Sequence, residues 1–317
     1  MLTVGQEGSP LIEVNVGSDV RAMAFAANGE YLVSGGRGAV RVWGVEDDKQ
    51  MATMPVEHVR CLAVSKDGRW IAAGTFYGEV IVWDAKTYKK PFSNTEDDHS
   101  INGVDFSPDS TRLVAASHNK KAIIWDIATR KRAQTLDHRN IVTAVKYSPQ
   151  DNRIATATLI SVQVWDGNTG RLLADISVKV TPWYNTGLQW FNDSLFVISD
   201  SKIKQIEAST GSTVSEWPDP DGSSSSCIAL PKFGGFIAYS TQRTITFWST
   251  ATHTQFGLIH HPRDIRSIAL SPDDRFLAIG GCEGKITINS LSRITVSFIS
   301  RWIMVHMNSF LAPIMFP

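Results

Sequence analysis

The sequence predicts an all-β chain of seven similar units, each of four antiparallel strands, and three observations carry that prediction. An apolar run closing on a tryptophan recurs along the chain, as in "GEVIVWDAKT" at 78–87, "KAIIWDIATR" at 121–130 and "SVQVWDGNTG" at 161–170. The anchors are Trp43, Trp83, Trp125, Trp165 and Trp248, with Ile206 and Asn289 in the two gaps; they span 246 residues in six intervals, a mean of 41. A second landmark stands about 18 residues before each anchor: an alternating strand, a Pro/Asp/Gly turn, then another strand. Four strands at this period are the signature of a seven-bladed β-propeller.

Taken in order, the elements fit that ring. Residues 11–16, "LIEVNV", alternate like a strand before the first complete unit. The first two strands of the units are legible in "VRAMAFAANGEYL", "VRCLAVSKDGRWI", "INGVDFSPDSTRL", "VTAVKYSPQDNRI", "SSCIALPKFGGFI" and "IRSIALSPDDRFL", while the fifth copy, "NTGLQWFNDSLFV", is degenerate. Third strands such as "VIVW" are apolar at consecutive positions, as expected of a strand covered on both faces by neighbouring blades. Their tryptophans read as packing: burying ~200 Å² of indole contributes up to ~5 kcal/mol. A turn such as "DGNTGR" and a short apolar run such as "LLADI" supply the fourth strand.

Two segments compete to complete the seventh blade. "LIEVNV" would pin the chain start to the last blade, whereas "LSRITVSFIS" at 291–300 sits at the offset of an ordinary fourth strand. The expectation is closure by the N-terminal strand, which leaves no open sheet edge. The organisation is then a lead at residues 1–10, a propeller at 11–291, and an atypical apolar tail at 292–317 that lacks the ~20 uninterrupted apolar residues of a membrane span.

The whole-chain numbers restrict function. Equal totals of 31 basic and 31 acidic residues argue against a net field drawing the chain to nucleic acid or an anionic membrane. The aromatic residues fall in strand cores rather than between basic ones, which also speaks against nucleic acid. Cys61, Cys227 and Cys282 form no CxxC pair, so neither a zinc site nor a disulfide framework is suggested, and a reducing compartment fits. The start lacks a signal-peptide pattern, which gives a cytoplasmic expectation with the nucleus as the alternative. "GGRG" at 35–38 reads as a hairpin, His260-His261 lacks companion ligands for a metal, and "PDPDGSSSSC" at 218–227 reads as a loop. No metal or cofactor is expected.

On these motifs the chain resembles the WD-repeat β-propellers over roughly residues 11–290, and similar repeats occur in arrays attached to fungal NACHT-type receptors. The resemblance implies a framing set in each blade: a His before the first strand, an Asp six residues before the Trp, a Ser/Thr, and the Trp N–H. Here only His138 and His261 match the first and only Asp200 the second, so apolar stacking is expected to hold the ring. Glu283 is a candidate partner for His261, while His138, facing Leu159, is expected to find water or a backbone group.

The resemblance also implies a top face lined by residues flanking the leading apolar of each first strand. Arg266, Arg21 and Arg60 then fall at one position in units seven, one and two, neighbours once the ring closes. Arg37, His58 and Phe76 lie near the same rim, and Asp19 and Asp264 are candidate neutralising partners. Guanidinium groups on one arc suit carboxylate or phosphate, because each offers a planar fork of donors. An acidic or phosphorylated peptide is the expected ligand, within a non-catalytic scaffold that binds other proteins. The alternatives are a substrate-recruiting subunit for ubiquitin transfer and an enzyme with a site at the channel mouth.

Overall fold

A computed structural model describes residues 11–47, 49–95, 98–180, 187–199, 202–218 and 227–292. Asp200, most of the loop at 218–227, and the tail from residue 293 lie outside the described residues.

Seven four-stranded antiparallel sheets form the blades. The first comprises Val20–Phe25, Tyr31–Gly36, Ala39–Gly44 and Gln50–Pro55, and the second comprises Val59–Val64, Trp70–Thr75, Glu79–Asp84 and Phe92–Thr95. The same pattern repeats to the sixth, which begins at Cys227–Ala229 and ends at Gln255–His260. The seventh contains Ile265–Leu270, Phe276–Gly281 and Lys285–Ser290, and its outer strand is Ile12–Asn15. Ile12 pairs with Ile288 and Val14 with Ile286, the Leu11 N–H donates to the Ile288 carbonyl at 2.9 Å, and Lys285 meets Glu13 at 2.6 Å. The N-terminal strand therefore closes the ring.

The core is divided into seven apolar clusters, one between each pair of neighbouring blades. This division explains the consecutive apolar residues of the third strands. Side chains alternate across a strand, so Ile81 and Trp83 enter the core shared with blade one while Val80 and Val82 enter the core shared with blade three. Trp43, Trp125, Trp165 and Trp248 likewise pack against the blade before their own.

Where the repeat is degenerate, other tryptophans fill the space. Ile206 stands at the anchor position of blade five, and Trp190, two strands away, packs into the same cluster. Arg153 of blade four stacks over that indole at 5.3 Å and pairs with Asp151 of its own blade and Asp193 of blade five, at 2.8 and 2.6 Å. Trp217, on the outer strand of blade five, is fully buried against blade six, its Nε1–H donating to the Ser249 carbonyl at 3.2 Å. Neither position follows the period of 41, so the sequence pattern did not single them out.

The framing set survives in part, and more fully than the sequence indicated. His138 finds the expected backbone group and a hydroxyl besides: its Nδ1 lies 2.9 Å from the Leu136 carbonyl and its Nε2 2.8 Å from Thr156 Oγ1, which also accepts from Trp165 Nε1–H at 2.9 Å. A carbonyl can only accept, so Nδ1 carries the proton in the neutral ring; Nε2 then accepts from the Thr156 hydroxyl. In blade one Trp43 Nε1–H donates to Ser34 Oγ at 2.8 Å. The relevant signal is the residue nine before the Trp: Ser34 and Thr156 carry a hydroxyl there, Ala116 does not, and the buried Trp125 Nε1–H has no acceptor. Ala116→Ser should supply one and raise the unfolding free energy by about 1 kcal/mol in urea denaturation.

The seventh-blade expectation is corrected. Glu283 pairs with Arg263 at 2.5 Å rather than with His261, whose Nδ1 lies 2.8 Å from the Arg263 carbonyl. Arg263 is a permanent cation two residues from His261 and takes the carboxylate that the sequence reading assigned to the imidazole.

Candidate functional site on the top face

The first strands start on one face of the ring, and the second strands of blades one, two, three, four, six and seven end there at a tight turn; that face is the top. Val20 lies opposite Gly36, Val59 opposite Thr75, and Ile265 opposite Gly281. Gly36, at one of these turns, is backbone machinery rather than a ligand contact, because a Cβ there would collide with the Asp19 carbonyl oxygen.

A local irregularity singles out the arginines. The ladder skips one residue between Val20 and Ala22, between Val59 and Cys61, between Ile101 and Gly103, and between Ile265 and Ser267. The residues skipped are Arg21, Arg60, Asn102 and Arg266. A β-bulge bends its strand and re-aims the unpaired side chain, so these four occupy equivalent, specially directed positions on blades one, two, three and seven. The apolar clusters shared by blades seven and one and by blades one and two make the three arginine-bearing strands successive around the ring.

Their surroundings differ. Arg21 Nε meets Asp19 Oδ2 at 2.8 Å, so Asp19 neutralises part of its charge. Asp264 instead pairs with Arg243, at 3.1 Å. Arg266 presents its carbonyl to the Cys227 thiol at 3.5 Å. Arg60 donates from Nη1 to Ser100 Oγ of the next blade at 2.9 Å and lies 5.7 Å from the centroid of the Phe76 ring. Arg37 is exposed on the first-blade turn, where its carbonyl accepts from Ser18. His58 and Phe76 are joined by a 2.9 Å bond from the Phe76 N–H to the His58 carbonyl. Nearby, burial and the Arg60 and His99 charges hold the His118 imidazole below its ordinary pKa.

On the opposite arc hydroxyls satisfy one another or the backbone: Thr158 with Ser161, Thr241 with Thr244, and Thr143 with the Ala157 carbonyl.

Below the top face the innermost strands of all seven blades surround a cavity of about 130 Å³, whose described lining includes Asn102, Lys146 and Gln189 but neither Asp nor Glu. Cys61 lines it too, its thiol pushed up to about 12 by burial, so it is not a thiolate at neutral pH. Among the described residues no three His, Cys, Asp or Glu side chains gather as metal ligands, and no helix is long and apolar enough to cross a membrane.

The WD domain, G-beta repeat model matches residues 10–44, 49–84, 90–126 and 252–288. With seven four-stranded blades and a closing N-terminal strand, the match decides the family. The chain is a member of the WD-repeat family. The four matches fall on blades one, two, three and seven, each taking in the outer strand of the blade before it or, at the start, the closing strand. The blades without a match include the degenerate fifth.

This WD-repeat propeller is similar to transcription factor unc-37 of Caenorhabditis elegans, 22% identical over 298 residues that cover 87% of this chain and 48% of that protein. It is 22% identical to protein groucho of Drosophila melanogaster over 296 residues, 86% of this chain and 39% of that protein. To the transcriptional corepressor LEUNIG_HOMOLOG of Arabidopsis thaliana it is 25% identical over 182 residues, 55% of this chain and 22% of that protein. The chain thus spans less than half the length of each of these relatives. WD-repeat propellers are characteristically non-catalytic, and function is read from the surface rather than from the fold.

Proposed function

We propose that this WD-repeat propeller is an interaction scaffold that captures an acidic or phosphorylated segment of a partner protein on the arc of the top face formed by blades seven, one and two. The observation that carries the reading is the repeated bulge, which sets Arg266, Arg21 and Arg60 at one structural position on three successive blades. A guanidinium is charged at every physiological pH and donates in a planar fork, so three on one arc can meet several carboxylate or phosphate oxygens together. Asp19 moderates one of them, which favours a ligand with several anionic groups over a single carboxylate. Two of the similar proteins are named a transcription factor and a transcriptional corepressor; assembly of partner proteins is compatible with those names, in the nucleus or in the cytoplasm.

The test is fluorescence polarisation with a labelled glutamate-rich peptide and its phosphoserine counterpart. Wild type should bind both, with affinity falling as salt rises because exposed ion pairs are screened. Changing Arg21, Arg60 and Arg266 to Glu should weaken binding by at least about tenfold. Unchanged affinity at low salt would remove the arginine arc as the binding surface.

A further inference from the structure

We propose that the turn joining the second and third strands of blade two is the apolar subsite of this face, and that it takes an aromatic side chain standing beside an acidic residue in the partner peptide; this rests on the reading of the top face as a peptide-binding surface. Phe76 and Tyr77 leave 47% and 54% of their surface in water. They are the one adjacent pair of aromatics among the exposed large apolar side chains of the described residues. Neighbouring exposed aromatics are the kind of surface that partners bury, because they offer a large contact area with few torsions to immobilise.

The rings are pre-arranged. Tyr77 meets Phe76 at 5.5 Å with an interplanar angle of 89°, and meets His58 at 5.3 Å and 86°. Each is an edge-to-face contact, which leaves ring faces available to a visiting side chain. The backbone of His58 has a φ of 52°, in the left-handed region, whereas Ser100 and Asp264, its counterparts on blades three and seven, avoid that region. Such a conformation persists only where its surroundings hold it, and it is enriched at binding sites. The bond from Phe76 N–H to the His58 carbonyl fastens this turn to the residue that leads into the first strand of the same blade.

Charge and ring are also paired. The Arg60 guanidinium lies over the Phe76 ring, 5.7 Å from its centroid, on a bulge and bonded to Ser100, so a cation is held against one face of that ring while the other face and Tyr77 remain for a ligand. A ligand that presents an aromatic ring next to a carboxylate can use both features at once. A lysine-rich ligand would meet Arg60 with like charge.

The experiment uses two labelled peptides, Glu-Glu-Trp-Glu-Glu and Glu-Glu-Gly-Glu-Glu, titrated against wild type, the Phe76→Ala/Tyr77→Ala variant and the triple arginine-to-glutamate variant. Wild type should prefer the tryptophan peptide by about tenfold. Phe76→Ala/Tyr77→Ala should bring that preference to about one, and an unchanged urea midpoint would show that its fold is intact. Equal affinity of wild type for the two peptides, or a preference that survives loss of both rings, overturns the subsite. If instead the triple variant leaves both affinities unchanged, the arginine arc fails, and the subsite proposal falls with it.

Discussion

Removing residues 1–16 is expected to open the ring and lower stability by about 3–6 kcal/mol, from the transfer free energy of the apolar side chains lost together with their strand. Ile12 and Val16 are buried in the cluster shared by blades seven and one, and Val14 packs against it. The truncation would also strip the partner from Lys285–Ser290, leaving an unpaired edge beside a partly uncovered core, a recognised route to edge-to-edge association. Size-exclusion chromatography and urea denaturation should therefore show a less stable, association-prone species. A synthetic peptide of residues 10–17 added in trans should restore the midpoint, because it supplies the missing strand. A truncation with the full-length midpoint would mean that another segment, for which "LSRITVSFIS" at 291–300 is the sequence candidate, can fill the slot.

Thr156→Val is expected to cost about 2–4 kcal/mol although valine nearly matches threonine in volume, because two buried polar groups lose their partner at once. Trp165 Nε1 would keep a donor without an acceptor, and His138 Nε2 an acceptor without a donor. The same network gives stability a pH dependence. Burial is the largest influence on the His138 imidazole and lowers its pKa from 6.5, outweighing the Leu136 carbonyl and the nearby acids that raise it. The unfolded chain then binds the proton more readily than the folded chain. This residue's contribution is full above pH 6.5 and declines as the pH falls from there through the lowered folded value. Urea titrations between pH 8 and 5 should show the decline in wild type, and His138→Gln should flatten it. An equally steep decline in His138→Gln would assign the pH dependence to another group.

The fold was legible because burial on both faces of a third strand leaves a dense, repeated mark in sequence, as "VIVW" does. Ring closure was legible from the alternation of "LIEVNV" together with the need to leave no edge. What the repeat could not show is compensation outside its own period. Trp190 and Trp217 fill blade five from its first and fourth strands, and Arg153 bridges from the blade before. The polar frame was only partly legible because its hydroxyl stands nine residues before the Trp, at Thr156, and not at the position six before it, where Leu159 stands.

On the top face the sequence located the arginines but not their settings. Asp19 does meet Arg21, while Asp264 goes to Arg243, a residue on the blade-six turn that no count along the first strands brings into view. The bulges were equally hidden, since a skipped residue in a ladder follows from the register of two strands and not from either strand alone.

On the proposed reading, partner proteins are held on the top face of the ring rather than on the opposite one. Proximity labelling in cells tests it most directly, comparing wild type, the variant with Arg21, Arg60 and Arg266 changed to Glu, and a control with Lys66 and Lys232 changed to Glu on exposed turns of the opposite face. The top-face variant should lose the labelled partner set while the control keeps it. Retention of the partners by the top-face variant, with their loss from the control, would contradict it.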